Sequence, residues 1–536
     1  MRELGSEPLK REELEALRAR LESHQLHDGD VTVLIKLIVM VQWFAAALER
    51  KKVSIARLRK MLFGARTEKS GTAADTTSAV EHRGRQGPAG KGHGRHSAGV
   101  YFGARRVEVP HAERKAGERC PECGKGNLYR LKKPSPLLWL QGTMPVQATV
   151  YECETMRCSA CGKLFTAEAP AEARGKKYDE SVGSVVALLR YGNGLPFFRL
   201  QQLQRSMGVP LPASVQWQLA KQKAQSLKPI HEALCCHAAQ AQVMRVDDTP
   251  MTILERDGAR RGSQQCPIPQ GQKRDSSEKK GTRTTAIVSS GQDRPVVIYR
   301  TGGREAGENI DRLLSQRDTQ RPAPIQMCDA LPSNLPKQFQ VILANCLAHA
   351  RRKFYELAEP FPRDVELVLY SFQYIYANEE QAVRAGLTPQ QRLEFHQLRS
   401  AFVLEGLLTW MRGQFNNRIV EPNSQLGQAF SYMIKHREPL TLFLRVPNAP
   451  LDNNLCEIIL KRAILHRKNS LFYKTCTGAE VGDLLMSVIS TCTMNGVNPL
   501  LYLTDVEKHA AEVVQNVDSW LPWNYAAKQI PTAQPP

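Results

Sequence analysis

Three carboxylates stand where chemistry on a phosphate ester would need them. Asp247 follows the strand-like run Val243–Val246, and Asp329 follows Ile325–Cys328. Glu457 lies in Asp452-Asn453-Asn454-Leu455-Cys456-Glu457, which leads into Arg467-Lys468-Asn469-Ser470-Leu471-Phe472. Carboxylate oxygens suit a hard cation such as Mg2+, and two such ions about 3.5–4 Å apart assist an in-line displacement at phosphorus. No acidic residue lies between Glu457 and Glu480, whereas Lys461, Arg462, Arg467, Lys468 and Lys474 do. A carboxylate that holds metal beside a basic strip that holds phosphates is what cleavage of a nucleic acid requires. Asp452 is expected to cap the helix that follows it, which puts Glu457 on that helix's second turn. Two alternatives stay open on the residues alone: Asp248 instead of Asp247 as the ligand, and Asp329 as no more than the start of a turn.

A second ligand set is made of thiols. Cys120-Pro121-Glu122-Cys123 and Cys158-Ser159-Ala160-Cys161 are two C-x-x-C knuckles separated by 34 residues. Four thiolates at such spacing suit one tetrahedral, closed and therefore structural Zn2+. The stretch between them, around Leu137–Tyr151, suits short strands; Gly124 and Gly162 supply the turns, and Cys153 is an alternative ligand. Cys346 and His349, three residues apart, are a third pairing able to bind metal, though His349 is read first as a support for the carboxylates or a contact to DNA.

The elements that must position these groups follow from pattern. From residue 241 the texture is that of strands: Val243–Val246 running into Asp247-Asp248-Thr249-Pro250, then Thr285–Ser289 and Val296–Arg300. A helix over Glu305–Ser315 comes next, then strands at Ile325–Cys328 and Gln340–Ala344. Three antiparallel-type strands, a helix and further α/β elements are the order of a ribonuclease-H-like domain. In that fold the first and fourth strands are neighbours, so Asp247 and Asp329, each ending its strand, would converge. Residues 348–445 read as an all-helical insertion, and 446–510 as the rest of the catalytic domain, with the Glu457 helix.

Upstream, residues 176–240 read as a helical segment. Phe198–Ser206, a turn at Gly208–Leu211 and Ala213–Ala224 have helix-turn-helix spacing, equally compatible with a plain helical hairpin. Residues 100–175 form the zinc-binding, ribbon-like module. Residues 64–99 are a basic linker whose only large aliphatic residue is Val80, too poor in apolar side chains to make a core. Residues 1–63 read as helix: Leu34, Leu37, Val41, Phe44, Leu48, Lys51, Ile55, Leu58 and Leu62 follow steps of three and four, as in a dimerising coiled coil. The 511–536 segment reads as a C-terminal tail. The fold class is therefore multidomain α+β.

The bulk numbers agree with this division. A chain of 536 residues has room for three or four domains. Its formal net charge of +20 and pI near 9.5 predict a polyanionic partner, nucleic acid or an anionic membrane surface. Val31–Leu48 is apolar enough to suggest a membrane span, but Lys36 and Gln42 interrupt it and the heptad pattern continues past it, so no membrane association is expected. The 13 cysteines, together with a charged Met1–Asp30 that lacks a leader pattern, predict a reducing cytoplasm and metal ligation before disulfides.

In ordered combination these residues resemble the insertion-sequence-66 family of transposases. The family's Asp-Glu-Thr-Pro is matched by Asp247-Asp248-Thr249-Pro250. Its Cys-x-Ala-His-x-Arg-Arg-x-Phe is matched by Cys346, Ala348, His349, Arg351, Arg352 and Phe354. Its Asp-Asn-Asn-x-x-Glu and Arg-Lys-Asn-x-x-Phe are matched by Asp452, Asn453, Asn454, Glu457, Arg467, Lys468, Asn469 and Phe472. Gly478-Ala479-Glu480, Asn495-Gly496-Val497 with Pro499, Leu62-Phe63-Gly64 with Glu68-Lys69, and the cysteine knuckles also fit. Departures are Asp248 for Glu, Lys461 for Arg, and Ala330-Leu331 after Asp329 where Gly-Tyr is usual.

The resemblance implies an Asp-Asp-Glu transposase with Asp247, Asp329 and Glu457 catalytic and metal-binding, Asp247 taking precedence over Asp248. It implies two Mg2+ (or Mn2+) per site and DNA contacts from Arg351, Arg352, Lys461, Arg467 and Lys468. His349, Asp452, Asn453 and Asn454 would support the site. The implied partners are double-stranded element ends and target DNA, a second copy or more of the chain, and accessory proteins of the same element, at the nucleoid. Two other readings keep the same residues: a decayed or nuclease-only relative, and a non-enzymatic regulator binding DNA through the zinc and helix-turn-helix segments.

Overall fold

The structure, a computed structural model, describes residues 117–119, 145–157, 164–166, 177–256, 281–290 and 294–529, with Arg20 and Glu168. The chain divides into two compact units, Glu68–Pro145 and the remainder, and the strands and helices named below belong to the latter. The predicted coiled coil, most of the linker and zinc module, and Cys120, Cys123, Cys158 and Cys161 lie outside the described residues. β1 (Thr155–Arg157) and β2 (Leu164–Thr166) pair antiparallel and bracket the second knuckle.

The centre is a five-stranded mixed sheet. β3 (Val243–Pro250), β4 (Arg283–Ser290) and β5 (Val296–Gly302) form an antiparallel meander; β6 (Ile325–Cys328) and β7 (Ile342–Asn345) add parallel on the other side of β3, giving the order β5-β4-β3-β6-β7. The first strand is longer than expected: Asp247 lies inside β3, which continues through Thr249 to Pro250. β4 is buried along nearly its whole length because helices cover both its faces.

N-terminal to the sheet come α1 (Glu180–Ala187), a π-helical turn over Leu188–Gly192, α2 (Phe197–Ser206) and α3 (Ala213–Ala239). Asp179 starts α1 by accepting the Ser181 and Val182 N–H groups at 3.1 and 3.2 Å. Gly208, at φ +78°, makes the turn between α2 and α3. The spacing predicts that the second of these helices stops near Ala224. Instead α3 runs 27 residues, past Pro229, because Leu227, Ile230, Leu234 and Ala238 form a fully buried stripe that holds it against the sheet.

α4 (Ala306–Leu314) crosses from β5 to β6 and opens with a reciprocal Glu305/Glu308 capping box. After β7 come six helices: α5 (Leu347–Tyr355), α6 (Pro362–Arg384), α7 (Pro389–Arg399), α8 (Ala401–Asn416), α9 (Gln425–Lys435) and α10 (Arg437–Leu440). Phe354, Phe372 and Phe430 fill its core, which also takes in Ile325, Met327 and Ala344 of the sheet.

α11 (Asn454–Ser470) lies over β3 and β4, and α12 (Cys476–Met494) lies along β5. That second contact closes the sheet's edge. The outward N–H groups of Thr301, Tyr299 and Val297 donate to Asp483 Oδ2 (2.6 Å), Ser487 Oγ (2.9 Å) and Thr491 Oγ1 (3.1 Å), and Asn495 Nδ2 donates to the Pro295 carbonyl (2.8 Å). Four residues of helix rise about 6 Å and two residues of strand about 6.8 Å. A polar side chain at every fourth helix position therefore meets every second strand residue. α13 (Pro499–Lys508) follows, and the described residues of the segment predicted as a tail, 511–536, fold too: α14 (Ala510–Gln515), α15 (Pro522–Gln529) and the turn between them place Val513, Trp520, Leu521 and Tyr525 in the main core. No helix among the described residues is long and apolar enough to cross a membrane.

Candidate active site

Side chains alternate along a strand, so Asp247 and Asp248 face opposite sides of the sheet. Two contacts tell which side is which. Thr249, on the Asp247 side, accepts a hydrogen bond from Arg467 of α11 (2.8 Å). Thr285, paired with Asp248 across the ladder, accepts one from Asn309 of α4 (2.9 Å). Asp247 thus shares its face with the helix carrying Glu457, while Asp248 faces the α4 side and is paired with Arg283 (2.9 Å). The β3–β6 register matches Arg245 with Met327. Two residues further along each strand, it sets Asp247 level with Asp329, which directly follows β6.

Glu457 is delivered by a helix fixed at both ends. At its start, Asn453 Nδ2 donates to the Val246 carbonyl (2.9 Å), the Asn453 N–H to Cys346 Sγ (3.2 Å), and Leu347 N–H to the Leu451 carbonyl (3.1 Å). Near its end, Arg467 holds Thr249 and the Pro250 carbonyl (2.7 Å). The helix begins one residue later than the capping pattern predicts. Asn453 is the capping residue, and the Asp452 carboxylate accepts from the N–H and side chain of Asn454 (3.1 and 2.7 Å). Glu457 consequently sits in the first turn, not the second. Asn453 takes the cap position because its side chain is drawn onto β3 and its backbone onto Cys346, which fixes where the chain can turn.

The electrostatics of this face are those of crowded negative charge. Burial pushes the Asp247 carboxyl up to about 7, and Asp329, Glu457 and Asp248 push in the same direction. Asp329 is also raised, mainly by burial; His349 and the hydrogen bonds from Leu331 N–H and Asn334 Nδ2 work against that. Asp452 is raised by burial, with Arg245 opposing it from β3. A divalent cation held by Asp247, Asp329 and Glu457 would remove the repulsion, and an all-oxygen donor set fits a hard one.

His349, on the first turn of α5, stands between the carboxylates. Its Nδ1 lies 3.6 Å from Glu457 Oε1, too far for a hydrogen bond, and has no hydrogen-bond partner among the described residues. Cys346 Sγ, His349 and Glu457 bring ligand atoms within 4.8 Å of one another; Asp247 and Asp329 stand outside that group.

The basic residues separate into two kinds. Arg352, Lys461 and Lys468 are exposed. Arg467 is engaged with β3, and Arg351 is half-buried, near Tyr376 and Asp452. Three contributors escape the motifs: Asn334 on Asp329, Arg283 on Asp248, and Arg245 beneath Asp452. Arg283 is recoverable from strand pairing, since it lies two positions from the Thr285 that faces Asp248. Asn334 carries no sequence signal.

The family model described as Transposase IS66 family matches residues 175–481, which span the sheet, the insertion and all three carboxylates. Two uncharacterized proteins of Sinorhizobium fredii are similar over most of their length. The protein y4jD is 26% identical over 381 residues, covering 70% of this chain and 71% of that one. The protein y4hP is 23% identical over 436 residues, covering 76% and 73%. A third, y4qI, is 27% identical over 191 residues, or 35% of each chain. No solved structure matches. With its family match covering more than half of its length, the chain belongs to the IS66 family of transposases.

Proposed function

We propose that the protein is an Asp-Asp-Glu DNA transposase of ribonuclease-H-like fold whose catalytic carboxylates are Asp247, Asp329 and Glu457. The observation that carries this reading is their common face: Asp247 and Asp329 level on adjacent parallel strands, and Glu457 on the helix lying over them. The strand order β5-β4-β3-β6-β7, with the meander first and the parallel pair last, supports the fold assignment.

Two Mg2+ or Mn2+ ions bound there would supply charge neutralisation at the scissile phosphate and a more acidic attacking water. The chain's own contribution is placement. Asn453, Arg467 and the β3–β6 register fix the three carboxylates; exposed Lys461, Lys468 and Arg352 draw DNA phosphates to the mouth of the site. Water attack at the element end frees a 3′-hydroxyl, which then attacks target DNA in the same site. The same proposal assigns one structural Zn2+ to Cys120, Cys123, Cys158 and Cys161, DNA contact to the α2–α3 segment, and assembly of copies on the two ends to residues 1–63.

The test is strand transfer with element-end DNA and Mg2+. The wild-type protein joins ends to target, and Asp247→Ala, Asp329→Ala and Glu457→Gln each abolish joining. Joining that survives all three substitutions contradicts the assignment. Metal-dependent nicking without joining favours a nuclease, and binding without cleavage a regulator.

A further inference from the structure

Cys346, His349 and Glu457 form, among the described residues, the one group of three side chains whose ligand atoms lie within 4.8 Å of each other. They come from three short stretches that the fold forces together: the residue after β7, the first turn of α5, and the first turn of α11. A thiolate, an imidazole and a carboxylate are the donor set of a borderline-soft, tetrahedral cation and a poor one for Mg2+. We propose that these three residues form a distinct Zn2+-class site that captures Glu457 and holds the enzyme inactive.

Three features beyond proximity support it. His349 presents an unpartnered Nδ1 toward Glu457 Oε1 at 3.6 Å, a separation that two ligands of one ion can adopt with metal–ligand bonds of about 2.0–2.1 Å. Cys346 caps the N-terminus of α5, and its sulfur accepts the Asn453 N–H at 3.2 Å, which fixes the sulfur beside the start of α11; burial pushes the thiol up to about 11, and a bound cation displaces that proton. His349 and Glu457 are 25% and 29% exposed, which leaves an open side for entry and for a fourth, water ligand. Binding is balanced by loss of the thiol proton: the S–H bond of Cys346 breaks, the S–metal bond forms, and the proton leaves to solvent.

The consequence rests on the catalytic reading of Glu457. A carboxylate ligated alongside Cys346 and His349 is withdrawn from Asp247 and Asp329. Zn2+ then inhibits, and excess Mg2+ does not readily reverse it, because Mg2+ has little affinity for the thiolate.

The experiment uses the full-length protein, dialysed against a weak chelator to clear labile metal, and titrates it with Co2+. The expected result is a thiolate-to-cobalt charge-transfer band, absent in Cys346→Ser and shifted to at least about tenfold weaker affinity in His349→Ala. The band persists in Asp247→Asn. The difference between wild type and Cys346→Ser isolates this site from every other cysteine, and His349→Ala covers a failure of Cys346→Ser to fold. An identical band in Cys346→Ser, or affinity unchanged in His349→Ala, overturns the site. In a parallel DNA-cleavage assay, Zn2+ inhibits the wild type and inhibits Cys346→Ser less, each relative to its own Mg2+ activity. If no Mg2+-dependent cleavage exists at all, the catalytic reading fails while the cobalt result still decides the site.

Discussion

Two aspartates, buried Asp483 at the edge of the sheet and half-buried Asp247 at its centre, both have a raised carboxyl pKa and have opposite surroundings. Burial pushes both Asp483 and Asp247 up to about 7. Asp483 meets donors that fit it: Thr301 gives both its N–H and its hydroxyl, each at 2.6 Å. It is one rung of the regular ladder that seals β5. Asp247 receives the Asp248 N–H at 2.8 Å and otherwise faces Asp329 and Glu457. The first cluster is complete as it stands. The second is complete only with added positive charge. A polar cluster satisfied within the chain marks architecture, and one left in electrostatic conflict marks a place for a ligand.

The largest break in this comparison comes from removing a central carboxylate. Asp247→Ala, Asp329→Ala or Glu457→Gln should each lower DNA joining by roughly a thousandfold or more, on the scale of losing a main stabiliser of the transition state. Folding should survive, since each substitution removes a repelled charge. A thermal melt alongside the joining assay checks both halves.

Next in size is the edge. Asp483→Ala leaves the Thr301 N–H without its acceptor, while the hydroxyl keeps Thr284 Oγ1 at 2.8 Å, and should cost about 1–3 kcal/mol of stability, read from denaturant unfolding. Added Mg2+ should not restore it.

The third prediction separates the two aspartates by pH. A carboxyl whose folded value is raised contributes stability that is full at low pH and is lost as pH rises through that value. Without divalent cations, stability should therefore fall between the ordinary carboxylate range, near 4, and about 7. Asp247→Asn and Asp483→Asn should each remove part of the fall. Saturating Mg2+, at about a hundred times its Kd, should raise wild-type stability by about 2.7 kcal/mol and leave Asp247→Asn almost unmoved. A Mg2+ response equal in the two proteins contradicts the distinction.

The smallest effect is on the approach of DNA. Lys461→Ala and Lys468→Ala should each flatten the dependence of log binding constant on log salt by about 0.9. Arg467→Ala should instead lower stability, because its guanidinium holds Thr249 and Pro250.

Part of this centre was legible in the residues: Asp247 and Asp329 follow short strand-like runs, and Glu457 stands in Asp-Asn-Asn-x-x-Glu at the start of a helix. The boundaries were less so. The first strand is expected over Val243–Val246, yet β3 continues through Thr249 to Pro250 because β4 pairs along its full length. The helix expected to end at Ala224 runs on past Pro229, because the buried stripe from Leu227 to Ala238 outweighs the one hydrogen bond lost there. Asn334, Arg283 and the ladder from Asp483 to Asn495 are long-range arrangements that no local spacing encodes. The helical period of that ladder could have been seen, but nothing in the sequence says that its partner is the edge of a strand.

The most direct test of the central claim is crystallographic: diffraction from the protein bound to element-end DNA and Mn2+, measured at the manganese absorption edge. The account predicts two anomalous peaks, about 3.5–4 Å apart, bounded by Asp247, Asp329 and Glu457 and touching the scissile phosphate. Peaks ligated by Asp248, or no peak between β3, β6 and α11, would contradict it.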